Sequence, residues 1–297
     1  MNDFAPEIRN TAIWATDARK IVAGKAAEVY LERIGETAPA DLSDVESVEW
    51  GKRLEESIAK GAADRLRLNI KHADYALTHQ KHPWMRSHFD YITEDGKTLL
   101  EVKNYGWHRV KEFGENMSSI IPAEDMAQCL HEAAVHNVNE VWLCVLFGGQ
   151  ELRTFPITVE PVAIDTLIET EAELWGQIQA RNPPPAATPA LSRLLHPRSN
   201  GSVRTVGQDV AQVCAALAAA KKQIKQLEEL VEKDQAKLQN LMGEAEALIT
   251  PEGKVLATWK QAKDSRGFDR EMFQKAMPDI YDQFVVTKPG TRRFLIK

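Results

Sequence analysis

Cysteine is scarce in this chain. Cys129, Cys144 and Cys214 are the only three, they are scattered, and their number is odd. Neither a disulfide framework nor a zinc-ligand spacing follows from them, and Cys129 and Cys144 sit in apolar surroundings that suit a core. Long hydrophobic runs are missing too: none reaches about 18 residues, which argues against a membrane-spanning helix. The opening Met1-Asn2-Asp3-Phe4-Ala5-Pro6-Glu7 has neither the basic nor the apolar region of a secretory leader. The expectation from these absences is a cytoplasmic protein with no membrane partner. Histidine spacing is uninformative as well. His72, His79, His82, His88, His108, His131, His136 and His196 form no ligand set, and most read as surface or loop residues.

A positive charge excess is also absent. The net charge is −6, which argues mildly against a broad DNA-coating surface. Its distribution is uneven. Residues 250–297 carry ten Lys/Arg against six Asp/Glu, a local +4, so the other 249 residues sum to −10. An enzyme that grips DNA only near its active site tolerates an acidic exterior.

At 297 residues the chain has room for one large domain or two smaller ones, and 43% hydrophobic with 27% charged residues is ordinary for a globular protein. The most informative segment is 87–103, Ser-His-Phe-Asp-Tyr-Ile-Thr-Glu-Asp-Gly-Lys-Thr-Leu-Leu-Glu-Val-Lys. Two apolar runs flank Asp95-Gly96, a strong hairpin signal. A two-residue turn there pairs Glu94 with Lys97, sets Asp90 opposite Glu101, and places His88 opposite Lys103. Side chains two apart share a strand face, so Lys103 joins Glu101. Opposed carboxylates at roughly 4.5–5.5 Å between Cβ atoms repel, and such a pair either shares a proton or holds a cation. With a lysine beside it, the pair can bind Mg²⁺ and activate water, the makings of a nuclease centre. The triplet alone is weak, since on the order of one is expected by chance in a chain of this length. Asp95-Gly96-Lys97 and Glu252-Gly253-Lys254 repeat it without a facing aspartate. A solvated polar strand face is the alternative.

Around this segment the pattern predicts an α/β domain with a mixed central sheet flanked by helices. Residues 1–40 read as mostly helical, ending in a polar loop near Thr37–Asp41. Ser43, with Glu46 as its capping-box partner, opens a helix to about Leu68 bearing Trp50, Leu54, Ile58 and Ala62 on one stripe. After the hairpin at 86–103 come an irregular aromatic loop at 104–121 and a helix from Pro122 to about Asn137. Strands at Glu140–Phe147 and Glu151–Ile157 turn at Gly148-Gly149, and a helix through Ile164, Leu174 and Ile178 closes the core. The domain reads as 1–181. Asn182-Pro-Pro-Pro-Ala-Ala-Thr-Pro opens a Pro-rich linker, 182–206. Residues 207–249 read as one long heptad helix, from Val210 through Leu248 with Asp234 as the break. It either forms a coiled coil or docks on the chain's own core. A small basic α+β segment, 250–297, holds a strand at Val255–Trp259, a helix capped by Asp269 and a strand at Arg292–Ile296.

Two further polar residues stand out on predicted apolar faces. Glu55 follows Gly51, which permits close backbone approach, and is a candidate third acidic ligand unless it simply faces solvent. Gln128, beside Met126, Ala127 and Leu130, is either a satisfied core amide or a group that orients a water or Lys103.

The ordered set Trp50-Gly51-Lys52-Arg53-Leu54-Glu55, Asp90, Glu101-Val102-Lys103 and Met126-Ala127-Gln128 resembles the lambda-type exonuclease, or YqaJ viral recombinase, family of PD-(D/E)xK nucleases. The resemblance covers roughly residues 9–157. The closing Ala257-Thr-Trp-Lys, Phe268 and Arg293-Phe-Leu-Ile-Lys are similar to tails in that family. It implies a restriction-endonuclease-like core in which Asp90, Glu101 and the backbone carbonyl of Val102 ligate Mg²⁺, with Mn²⁺ as a substitute. It implies that Lys103 positions or deprotonates water, Glu55 holds a second metal or its waters, and Gln128 supports Lys103. Arg9 and Thr16 stand at the spacing of the family's 5′-phosphate pocket, with Thr16 in place of a serine. The implied activity is 5′-to-3′ digestion of double-stranded DNA ends in a phage or prophage recombination system. It leaves 3′ strands for a RecT-like annealing protein, and processive members act as a homotrimeric ring. Phe89 stands where the family name expects proline, and Ala15-Thr16-Asp17 replaces a glycine-rich signature, which bears more on the end pocket than on cleavage. Two other functions compete: an endonuclease or nickase on the same core, cutting internal or branched DNA, and a non-enzymatic coiled-coil interaction protein.

Overall fold

The computed structural model describes residues 6–38, 41–73, 75–288 and 290–296. The first five residues, and part of the loop expected at Thr37–Asp41, lie outside the described residues. The chain forms two compact units, Met1–His196 and Pro197–Lys297.

The first unit opens with α1 (Pro6–Arg9), the short strand β1 (Ile13–Trp14), α2 (Ala15–Val22), α3 (Ala26–Arg33) and the long α4 (Glu46–Leu66). Strands β2 (Ile70–His72), β3 (Ala76–Thr78), β4 (Met85–His88), β5 (Tyr91–Thr93) and β6 (Thr98–Tyr105) follow. A 3₁₀ helix at Trp107–Glu112 leads to α5 (Ala123–His136), β7 (Glu140–Phe147), β8 (Glu151–Thr158), α6 (Pro161–Gln179) and α7 (Pro189–Leu195). The Pro-rich stretch thus contains a helix, capped by the Thr188 hydroxyl, whose Leu191 is buried with Tyr30, Leu31, Leu174 and Ile178.

Five strands make the central sheet in the order β2-β5-β6-β7-β8. The β6–β7 pair is parallel and the others are antiparallel, so the sheet is mixed. The strand period of two divides β6 between the faces. Leu100 and Val102 pack with Tyr91 and Cys144 against Ile58, Ala59 and Ala62 of α4. Leu99 turns the other way, with Ile92, Leu143, Val145 and Phe155, against Cys129 and Ala133 of α5. Glu101 and Lys103 share that α5 face by alternation.

Several local expectations change. The register around Asp95-Gly96 is as expected, with Tyr91 opposite Leu100 and Ile92 opposite Leu99. The turn, however, spans four residues: Glu94 and Lys97 leave the ladder because Thr93 closes it, its hydroxyl accepting the Thr98 N–H (3.1 Å) and bonding the Asp95 carboxylate (2.6 Å). Gly96 supplies the positive φ, +74°, that this turn requires. The hairpin also does not run back to residue 86. The chain changes sheets at Phe89-Asp90, and β4 pairs with β1 and β3 instead. His88 therefore lies opposite Ala76, not Lys103, and stacks on Trp14. Helix α4 starts at Glu46 with Val45 at its N-cap, because Ser43 donates its backbone N–H to Asp41 and forms a turn instead of a capping box. It ends at Leu66, where Arg67 adopts a left-handed φ of 54°. Trp50 is 49% exposed rather than on the buried stripe. Gly51 has open space around it, whereas a Cβ at Gly61 would meet Leu152 of β8 at 3.4 Å.

The second unit holds α8 (Gln208–Met242), the antiparallel pair β9 (Ala247–Ile249) and β10 (Val255–Thr258), α9 (Arg270–Ala276) and α10 (Pro278–Gln283). The long helix stops at Met242, not at 249, because Gly243 takes a φ of +56°. Ala245 and Leu248 thus leave the heptad stripe, and Leu248 pairs in β9 with Ala257. Asp269 caps α9 through the Met272 N–H at 2.8 Å. No strand forms at 292–296: among the described residues this stretch pairs with no neighbouring strand.

Candidate active site

The structure brings Asp90, Glu101, Lys103 and Gln128 together on the α5 face of β6. Asp90 sits at the bend where the chain passes from one sheet to the other, and its Oδ2 accepts the Val102 N–H at 2.8 Å. Burial, with Glu101 adding to it, pushes the Asp90 carboxyl well above the usual carboxylate range. Glu101 is 3% exposed and accepts at Oε1 from both the Lys103 ammonium and the Gln128 amide, the latter at 2.5 Å. Burial alone would lower Lys103, but Glu101 and then Asp90 outweigh it and hold the ammonium above its ordinary value. The Gln128 amide thus meets Glu101, one residue pair away from the contact with Lys103 that the sequence suggests.

Glu55 stands apart. It rises from α4, on the opposite face of the sheet, is half-buried, and lies 3.9 Å from His72 Nε2. Burial raises its carboxyl, His72 pulls it down, and Glu101 pushes it up, so the site is felt across the strand. It lines a cleft of about 530 Å³ with Lys52, Glu56, Lys60, Ile70, His72 and Tyr91. Among the described residues no three of His, Cys, Asp or Glu already form a metal-binding group, so Glu55 is not pre-assembled with Asp90 and Glu101.

Arg9 and Thr16 do meet. Arg9 Nη2 donates to Thr16 Oγ1 at 3.0 Å, and the guanidinium lies 4.0 Å from Asp17 and over the Trp14 ring. Asp17 is buried and fixes the start of α2 by accepting the Trp14 N–H at 2.9 Å while pairing with Arg33. The Thr16 hydroxyl and the Arg9 guanidinium are therefore backed by the buried Asp17–Arg33 ion pair.

Five residues of this region carry no signal of their own in the sequence. Arg19, one turn after Thr16 on α2, pairs with Asp125, and its Nη1 and Nη2 reach Gln128 Oε1 (3.3 Å) and the Tyr105 hydroxyl (3.1 Å). Tyr105 in turn donates to Asp125 at 2.5 Å; burial, reinforced by Asp125, pushes its phenol up to about 12. Arg109 stacks 4.1 Å over the Tyr105 ring. Glu132, one helical turn past Gln128, accepts the amide at 2.9 Å. The four-residue helical spacing of Gln128 and Glu132 was the one available hint. Against the expectation for histidines, His131 is fully buried: Nδ1 meets Glu171 at 2.9 Å and Nε2 meets the Arg86 carbonyl at 3.0 Å. An ionised Glu171 and a carbonyl both accept, which favours the imidazolium and raises the His131 pKa against the burial that alone would lower it, and the ring clamps α5 to α6 and β4.

Residues 6–139 match the sequence model of the YqaJ-like viral recombinase domain. No curated protein matches the chain. Among solved structures, the chain is similar to an alkaline exonuclease from Laribacter hongkongensis, with 11% identity and a TM-score of 0.47, covering 59% of this chain and 92% of that one. It is also similar to a phage-related exonuclease from Haemophilus somnus 129PT, with 12% identity and a TM-score of 0.43, covering 57% and 96%. No helix among the described residues is long and apolar enough to cross a membrane.

Proposed function

Since residues 6–139 of this chain match the model of the YqaJ-like viral recombinase domain, we propose that it is a Mg²⁺-dependent 5′-to-3′ exonuclease acting on double-stranded DNA ends in phage recombination. The observation that carries this reading is the convergence at Glu101: a lysine two residues on along β6, an amide from α5, and Asp90, at the bend before β5, bonded to the adjoining Val102 N–H. The donor set fits a hard divalent cation. Asp90 and Glu101 are oxygen donors close enough to repel, with the Lys103 ammonium paired to Glu101, and a cation relieves that repulsion. Asp90, Glu101 and the Val102 carbonyl would hold it, with Glu55 holding a second ion or its waters, and Mn²⁺ would serve as a substitute. Such an ion supplies Lewis acidity to water and phosphate.

The chain's own residues do the rest. Lys103, as an ammonium, donates hydrogen bonds that orient the attacking water and steady the phosphate. Gln128 holds the Glu101 carboxylate in place. Arg9 and Thr16 bind the 5′-terminal phosphate by charge and hydroxyl donation, which selects ends over internal sites. The product is a 5′-mononucleotide and a growing 3′ strand, a substrate for a RecT-like annealing protein, and a homotrimer would keep the enzyme on its track. The protein acts in the cytoplasm of the cell that holds this DNA.

Digestion in Mg²⁺ of two equal-length duplexes tests the reading, one linear with 5′-phosphates and one covalently closed. Loss of the linear substrate alone, with mononucleotide release, is expected. Cutting of the circle would make the protein an endonuclease on the same core, and resistance of both would remove the metal site from the account.

A further inference from the structure

Glu132 is a buried carboxylate that the proposed chemistry leaves without a task. It is 2% exposed on α5, among the fully buried side chains of the unit. A carboxylate in such a place is unfavourable unless its contacts require it, and a leucine of similar size would pack there at lower cost in free energy. Its recorded partner is the Gln128 Nε2, at 2.9 Å. That nitrogen has two hydrogens, and the other goes to Glu101 at 2.5 Å. The amide oxygen faces the Arg19 guanidinium at 3.3 Å. Both N–H hydrogens and one lone pair of the Gln128 amide are thus met by groups of matching sign. Reversed, the amide would turn its oxygen toward two carboxylates and its hydrogens toward a cation.

We propose that Glu132 is a positioning residue for the cleavage site: it locks the Gln128 amide so that its N–H holds Glu101 while its oxygen reads Arg19 on the end-binding helix α2. Arg19 lies one turn from Thr16, so the same amide joins the helix that carries the end pocket to the carboxylate that carries the metal. Tyr105 and Asp125 keep Arg19 in register with that amide. This inference rests on the nuclease reading for its role in cleavage, but its direct consequence, the set of the Glu101 carboxylate, can be read without DNA.

The test uses the full chain with Glu132→Leu and Glu132→Gln. Three quantities are measured: melting temperature, Mn²⁺ affinity by electron paramagnetic resonance, and the Mg²⁺ dependence of cleavage of a 5′-phosphorylated linear duplex. Glu132→Leu is expected to keep or raise the melting temperature, weaken Mn²⁺ binding about tenfold, and slow cleavage to a similar degree with a higher Mg²⁺ half-saturation. Glu132→Gln, whose amide oxygen still accepts from Gln128, restores both binding and cleavage. Mn²⁺ binding and cleavage by Glu132→Leu at wild-type levels would overturn the proposal. So would a parallel loss of melting temperature and binding in both variants, which marks a packing role. A wild-type chain that binds Mn²⁺ but cuts no DNA would defeat the nuclease reading while leaving the Mn²⁺ comparison to decide on Glu132.

Discussion

The two faces of the five-stranded sheet share the same strands and differ in what they bury beside their apolar clusters. On the α4 face, Leu100 and Val102 meet Ile58, Ala59 and Ala62 with no polar group among them, and Glu55 stays at the margin. On the α5 face, beside the apolar cluster around Leu99, Leu143 and Phe155, Glu101, Lys103, Gln128 and Glu132 form a polar cluster, and His131 is paired with Glu171 one turn away. Burial of apolar surface stabilises at roughly 25 cal/mol per Å², whereas buried ionic groups contribute little or nothing net. Apolar packing on both faces therefore anchors the fold, and the polar cluster on the α5 face holds a fixed arrangement of charge at little or no gain in stability.

That contrast predicts variants that separate activity from stability. Lys103→Ala, on the polar face, should lower cleavage by at least about 10²-fold while melting temperature and duplex binding change little, as a gel-shift and a rate assay on the same preparation will show. An active Lys103→Ala would dissolve the contrast. Ile58→Ala, 3% exposed on the apolar face, should do the reverse, removing roughly 2–5 kcal/mol of stability in denaturant titrations while the surviving folded enzyme cuts at its usual rate.

The buried imidazolium gives a pH dependence of known sign. Burial alone lowers His131, but Glu171 outweighs it, so its pKa in the fold lies above the ordinary value of roughly 6.5. Its contribution to stability is whole below that ordinary value and drains away as pH rises through the folded one. Unfolding midpoints should thus fall as pH climbs above the ordinary imidazole value in the wild type, and this slope should be lost when His131→Leu is combined with Glu171→Leu; the opposite slope would show that the ring is neutral in the fold. The smallest effect belongs to the proposed end pocket. Thr16→Ala removes one hydroxyl from a pocket that keeps Arg9, and should weaken the preference for 5′-phosphate over 5′-hydroxyl ends by about tenfold or less. An unchanged preference would place end recognition elsewhere.

The sheet and its helices were legible in the sequence because period and punctuation agreed: Asp95-Gly96 set the register, Gly148-Gly149 turned β7 into β8, and Pro122 and Asn137 bounded α5. Glu101 and Lys103 followed from alternation alone. The errors came where a single polar side chain redirected the backbone. Asp41 captured the Ser43 N–H and moved the start of α4, Thr93 widened the turn, and the bend at Phe89-Asp90 sent His88 into another sheet. Local pattern carries no record of such a sheet change, because β4 and β5 read as one continuous run. Arg19, Tyr105, Asp125 and Arg109 were invisible for a different reason. They converge from α2, the end of β6, α5 and a 3₁₀ helix, and only tertiary packing brings these together. The place of Glu55 beside a half-buried stripe gave no sign of the cleft it shares with His72.

The central claim is that the polar face of the sheet hydrolyses phosphodiesters through Asp90 and Glu101. Asp90→Asn tests it most directly, because the amide keeps the shape of the side chain and an oxygen for the Val102 N–H while removing the charge. With a linear 5′-phosphorylated duplex in Mg²⁺, the wild type should release 5′-mononucleotides and Asp90→Asn should release none while melting at a similar temperature. Equal release by the two would contradict the account.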